Sequence, residues 1–124
     1  MKKILIVDDD AINLLVLKEM LSIVFTQADI DECSSAQEVL DRNNLDRFDL
    51  ILSDIDMPKM DGFELYTQLR DMRGIEAPII AITALAVQGD RDRILLHGFD
   101  AYISKPIDMD ELEKVITPYL SKSP

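Results

Sequence analysis

Short, uninterrupted apolar runs alternate with stretches of helical period along most of the chain. Residues 4–7, Ile-Leu-Ile-Val, carry no polar interruption, the pattern of a central strand covered on both faces. That run ends in Asp8, Asp9 and Asp10. Leu14, Leu17, Leu21, Val24 and Phe25 then recur at helical spacing and predict a helix with one apolar face. Residues 28–33 read as a weaker, more polar strand, suited to a sheet edge. Ser35 followed by Glu38 has the form of a capping box, opening a second helix that turns Val39 and Leu40 inward.

The second half repeats the rhythm. Leu50, Ile51 and Leu52 predict a buried strand that delivers Asp54 at its carboxyl end, followed by Asp56 and the turn formers Pro58 and Gly62. Asp61 and Glu64 cap a third helix, with Leu65, Leu69 and Met72 lined up on one side and Gly74 as its stop. Residues 78–82 form a fourth apolar strand that delivers Thr83. Ala84, Ala86 and Gly89 read as a small-residue loop, and a fourth helix runs from about Asp90 to Gly98. Residues 101–104 make a short fifth strand, followed by Lys105 and Pro106. Asp108 and Glu111 cap a fifth helix carrying Leu112, Val115, Ile116 and Tyr119. Strands alternating with helices require right-handed crossovers and a parallel sheet with helices on both faces. The predicted class is α/β: a flavodoxin-like, doubly wound (βα)5 three-layer sandwich with strand order 2-1-3-4-5.

Composition narrows what such a fold can do. The 124 residues predict one domain, spanning 1–124 with a core over about residues 3–120. Thirteen Lys plus Arg against 24 Asp plus Glu give a net charge of −11, which opposes a phosphate backbone and argues against nucleic acid as a partner. No apolar run approaches a membrane span, and the start, MKKILIVDDD, is too short and too acidic for a signal peptide. The one cysteine, Cys33, forms no internal disulfide and reads as a small buried residue, so a reducing cytoplasm is the expected setting. His97 reads as a surface residue complementing a helix dipole.

The chemistry lies in where the polar residues fall. Asp8, Asp9, Asp54, Thr83 and Lys105 all sit at carboxyl ends of strands, and strand order 2-1-3-4-5 brings the three aspartates around one pocket. Carboxylates so placed repel one another and raise their pKa values unless a cation is present. A hard, all-oxygen donor set favours Mg²⁺, while one Cys and one His leave no soft set for zinc or copper. A metal, an ammonium and a hydroxyl around a carboxylate suit phosphoryl transfer, with Asp54 as nucleophile and Lys105 and Thr83 holding the phosphoryl oxygens.

The segments LIVDD, LILSDIDMPKMDG, IIAITA and DAYISKPI stand in an order and spacing that resemble the receiver domains of two-component response regulators, chemotaxis-regulator-like, over essentially the whole chain. The resemblance implies Asp54 as phosphoacceptor, Asp9 as direct metal ligand, Asp8 acting mainly through water, and the Asp56 main-chain carbonyl as third ligand. It implies Thr83 and Tyr102 as a switch pair, Lys105 as phosphate contact, and a cis Lys105-Pro106 bond. Mg²⁺ is the implied cofactor, with Mn²⁺ as substitute. A sensor histidine kinase or histidine phosphotransfer protein is the implied phosphodonor. An unknown protein is the implied target, met as a monomer or as a phosphorylation-dependent dimer through the α4-β5-α5 face.

Asp56 departs from the neutral residue more usual in the family. The chain resembles receivers of hybrid kinases as much as free-standing ones, and no output domain is expected past Leu120. Three other readings compete with this one. The Asp54-Ile55-Asp56 pair fits a haloacid-dehalogenase-like phosphatase, but that family places its nucleophile on the first strand. A flavin or nucleotide binder lacks its glycine-rich loop, and a non-phosphorylated protein-binding module would not need the full acceptor set.

Overall fold

A computed structural model describes residues 2–84 and 88–120. Five strands, β1 (Lys3–Val7), β2 (Asp29–Cys33), β3 (Leu50–Asp54), β4 (Ile79–Thr83) and β5 (Ala101–Ser104), form one parallel sheet in the order β2-β1-β3-β4-β5. Between and after them run α1 (Ala11–Val24), α2 (Ala36–Leu40), α3 (Gly62–Thr67), α4 (Gln88–His97) and α5 (Met109–Leu120). The expected doubly wound class and strand order are what is found.

Side-chain alternation along the strands builds two cores. Leu5, Val7, Ile51, Ile79 and Ala81 point to the side covered by α2, α3 and α4, joined by Val39, Leu65 and Ile94. Ile4, Ile6, Leu50, Leu52 and Ile80 point to the other side, joined by Leu14, Leu17 and Leu21 of α1 and by Leu112, Ile116 and Leu120 of α5. The inner strands β3 and β4 are buried along their whole length, while β2 buries only Cys33 and leaves its other residues exposed or half-buried, as its polar sequence predicts for an edge. No helix among the described residues is long and apolar enough to cross a membrane.

The caps follow the sequence. Asp10 accepts from the main-chain N–H groups of Ile12 and Asn13 to start α1, Ser35 from Glu38 to start α2, and Asp61 from Glu64 to start α3. The end of α3 does not follow it. Residues Gln68–Met72 form a π turn, with the Arg73 N–H reaching back five residues to the Gln68 carbonyl at 3.1 Å. The extra residue rotates the side chains beyond it by about 100° around the axis. Leu65 and Leu69 are buried, whereas Met72 is 71% exposed and leaves the side that its spacing predicts it shares with them.

The helix α4 begins at Gln88, ahead of the expected Asp90, so Gly89 belongs to the helix and not to the loop; Ala86 lies outside the described residues, as do the four at the chain end. Ile94 is its buried anchor, while Leu95 and Leu96 face out at 46% and 86% exposure. On the opposite face of the sheet, α5 inserts Leu112, Ile116 and Leu120, with Val115 and Tyr119 half-buried.

Candidate functional site

Three loops at the carboxyl edge bring the site together. Asp8 follows β1 and is tied to the edge strand by its N–H, which donates to the Cys33 carbonyl at 3.2 Å. Its Oδ1 accepts from the Asp10 N–H at 2.9 Å, which fixes the turn into α1. Asp54 ends β3. Lys105 follows β5 after a main-chain bond of 2.8 Å from its N–H to the Thr83 carbonyl, and the Lys105-Pro106 peptide is cis. Backbone pairing, rather than side-chain adaptation, therefore sets where these groups stand.

Asp8, Asp9 and Asp54 each offer one carboxylate oxygen, all within 4.8 Å of one another. Asp8 and Asp54 are buried and Asp9 is exposed, so the group has two dry members and one facing solvent. The Lys105 ammonium stands 3.2 Å from Asp8 Oδ2 and 3.3 Å from Asp54 Oδ1. Burial first, then the neighbouring Asp8 charge, push the Asp54 carboxyl up to about 6, against the pull of Lys105 and a hydrogen bond from the Asp56 main chain. Burial works to lower the Lys105 ammonium, but Asp54 and Asp8 outweigh it and hold it above its ordinary value.

Three carboxylates share one ammonium here, so the cluster has too little positive charge to neutralise itself. All its donors are hard oxygens at a spacing a single ion can bridge. The residues present therefore fit Mg²⁺, in keeping with its preference for carboxylates and water. A cleft of about 210 Å³ opens beside Asp8 and Lys105, walled by Asn13, Val16 and Leu17 of α1 and by Ile107. A larger hollow of about 510 Å³ lies elsewhere, beside the end of α1 and the last turn of α5, away from these groups.

The remaining expected residues lie on β4, on β5 and in the loop after β3. Thr83 is 1% exposed at the end of β4, beside Ser104 in the register. Tyr102 lies half-buried on β5, against the core under α2, α3 and α4, with the Arg91 guanidinium 5.6 Å from its ring centre. The Asp56 side chain is exposed and outside the carboxylate group. Met57 is buried and Met60 half-buried in the loop between Asp54 and α3, where Lys59 adopts a positive φ of 69°.

Gly62 opens α3 against the site. A Cβ there would stand 2.5 Å from the Asp54 carbonyl and 2.8 Å from Ile55 Cα, so no other residue fits without displacing the end of β3.

Two features add to the expected site. His97 does lie on the surface at the end of α4, but its ring also packs edge-on against Phe63 and Tyr66, and its Nε2 sits 3.0 Å from the Phe63 carbonyl. Ser53 is buried and its hydroxyl donates to the Asp54 carbonyl at 2.9 Å. A lone hydroxyl in an apolar strand is the signal that marks the second; nothing in the sequence marks the first.

Known proteins resemble this chain in sequence and fold. Residues 4–117 match the family described as response regulator receiver domain. The chain is 34% identical over 122 residues to sensor histidine kinase RcsC of Escherichia coli, covering 96% of this chain and only 12% of that one. It is 35% identical over 130 residues to the polar-differentiation response regulator DivK of Brucella anthropi, covering 96% of each. Among solved structures, the response regulator protein TrrA of Thermotoga maritima, in complex with Mg(2+)-BeF, superposes with a TM-score of 0.81 at 30% identity, covering 96% of this chain and 99% of that one. The phosphatase reading also needs its nucleophile on the first strand, whereas Asp54 ends β3. The family match runs from the first strand into the last helix, and the chain belongs to the response regulator receiver domains of two-component signalling.

Proposed function

We propose that the chain, as one receiver domain over residues 1–124, takes a phosphoryl group from a phosphohistidine onto Asp54 and signals through a phosphorylation-driven change of shape. The observation that carries this reading is the Asp54 carboxylate, buried at a strand end between an ammonium 3.3 Å away and two further carboxylates. An Asp54 oxygen forms the new bond to phosphorus as the phosphorus–nitrogen bond breaks, and the electron pair returns to the imidazole. Asp8, Asp9 and Asp54 hold the Mg²⁺, together with the Asp56 main-chain carbonyl, and Mn²⁺ serves as a substitute. The bound ion supplies the positive charge that the carboxylate cluster lacks and that the phosphoryl oxygens need. Lys105, already between Asp8 and Asp54, turns its ammonium to a phosphoryl oxygen, and Thr83 offers its hydroxyl from β4.

Thr83 and Tyr102 form the switch, one at the site and the other on the strand beside it, and the face of α4, β5 and α5 is what a target or a second copy reads. The donor is a sensor histidine kinase or histidine phosphotransfer protein, as the kinase relative suggests, and the setting is cytoplasmic. Intact mass after incubation with acetyl phosphate tests the acceptor. One hydroxylamine-labile phosphoryl adduct is expected with Mg²⁺ and none with chelator or in Asp54→Asn. An adduct that persists in Asp54→Asn would move the acceptor elsewhere.

A further inference from the structure

Besides Asp54 itself, Ser53 departs from the apolar pattern of β3. Ser53 is 1% exposed, and the register sets it between Val7 of β1 and Ala81 of β4. A hydroxyl in such a row must be hydrogen-bonded, because its desolvation is otherwise uncompensated. Its bond goes to the main-chain carbonyl of Asp54, the next residue, at 2.9 Å.

That carbonyl is one end of the Asp54–Ile55 peptide. The other end, the Ile55 N–H, donates to the Ile82 carbonyl on β4 at 3.2 Å. Gly62 closes the third side: it lies against the Asp54 carbonyl, and its N–H donates to the Ile55 carbonyl at 2.9 Å. The next residue, Asp56, sends a main-chain hydrogen bond back to the Asp54 carboxylate. This peptide therefore links the Ser53 hydroxyl to the short stretch of main chain whose Asp56 N–H bonds the carboxylate.

We propose that Ser53 is a positioning residue for Asp54: its hydroxyl locks the Asp54–Ile55 peptide plane and so aims the carboxylate oxygen for attack on phosphorus. The inference rests on the phosphoacceptor reading and deepens it. A purely structural Ser53 would cost stability on removal and leave the chemistry alone; a positioning Ser53 changes the rate in the folded protein, since small misplacements at a reacting centre are costly.

The test tracks adduct formation from acetyl phosphate at saturating Mg²⁺, by intact mass, in the full chain, Ser53→Ala and Ser53→Thr. Ser53→Ala is expected to slow the reaction about tenfold, and Ser53→Thr, which keeps the hydroxyl, to stay within about threefold of wild type. Ser53→Ala within twofold of wild type overturns the inference, as does Ser53→Thr being as slow as Ser53→Ala. Should Ser53→Ala not fold, Ser53→Cys, of similar size and with a weak donor, takes its place under the same expectation. The amide resonance of Asp56 gives a reading independent of phosphorylation: it shifts in the metal-free Ser53→Ala protein if the plane relaxes, and an unmoved resonance also overturns the inference. An unreactive wild type would instead count against the phosphoacceptor reading.

Discussion

At the carboxyl end of the sheet, three carboxylates share one ammonium, and burial beside Asp8 pushes Asp54 up to about 6. At the amino end, the Arg70 guanidinium bonds the carbonyls of Ile75 and Ala77 at 2.5 and 3.1 Å and the Asp100 carboxylate at 3.2 Å, over the Tyr66 ring. Asp100 in turn accepts from the Ile79 N–H at 2.8 Å, and Asp49 from the Lys3 N–H at 2.8 Å. The two ends carry similar groups and treat them in opposite ways. One end uses polar side chains to close its loops and is electrostatically complete. The other holds more negative charge than it can neutralise, and that surplus is what makes it receptive to a cation.

Removing the hub of the complete end should have the largest effect on stability. Arg70→Met takes the guanidinium away from the Ile75 and Ala77 carbonyls and from the Asp100 carboxylate and is expected to cost about 2 kcal/mol in urea unfolding, with adduct formation at Asp54 within twofold of wild type. A large loss of chemistry would mean that the two ends are coupled. Filling the incomplete end comes next: Mg²⁺ at ten times its dissociation constant should add about 1.4 kcal/mol to wild type, and far less to Asp54→Asn.

Without metal at pH 7, Asp54→Asn should stabilise the protein by about 1 kcal/mol, the figure being reduced because the pocket is open to solvent on one side. The pH dependence has a definite sign. A carboxyl raised from 3.8 to about 6 binds its proton more readily in the folded state. Its contribution therefore favours the folded metal-free protein below about pH 4 and is lost as the pH rises through 6. Urea midpoints at pH 5 and pH 7 should differ in that direction in wild type, and the difference should shrink in Asp54→Asn. The smallest change in stability is expected for Asp9→Asn: the side chain is exposed, so the metal-free urea midpoint stays put while calorimetry shows Mg²⁺ affinity falling.

The sheet and the acidic cluster are legible in the sequence because both are local patterns: apolar runs mark the strands, and each run ends in the residue it delivers. Features that depend on partners distant in the chain are not. A regular helical period places Met72 with Leu65 and Leu69, and no residue type announces the π turn that rotates it outward. Arg70, which no pattern in the sequence singles out, meets the Ile75 and Ala77 carbonyls and Asp100 only once the loops after α3 and α4 fold over it. His97 looks like a residue matched to a helix dipole, and its contact with the Phe63 carbonyl exists only once α3 and α4 are side by side.

The helix α4, with Ile94 as its buried anchor and two exposed leucines beside it, has a consequence in time as well as in space. Elements with little buried apolar surface open by local excursions that do not require the whole molecule to unfold. Amides in the interior of α4 should therefore exchange with deuterium well before those of α5, whose three core residues tie its opening to global unfolding. The surface of α4 then samples alternatives many times over during the life of one folded molecule.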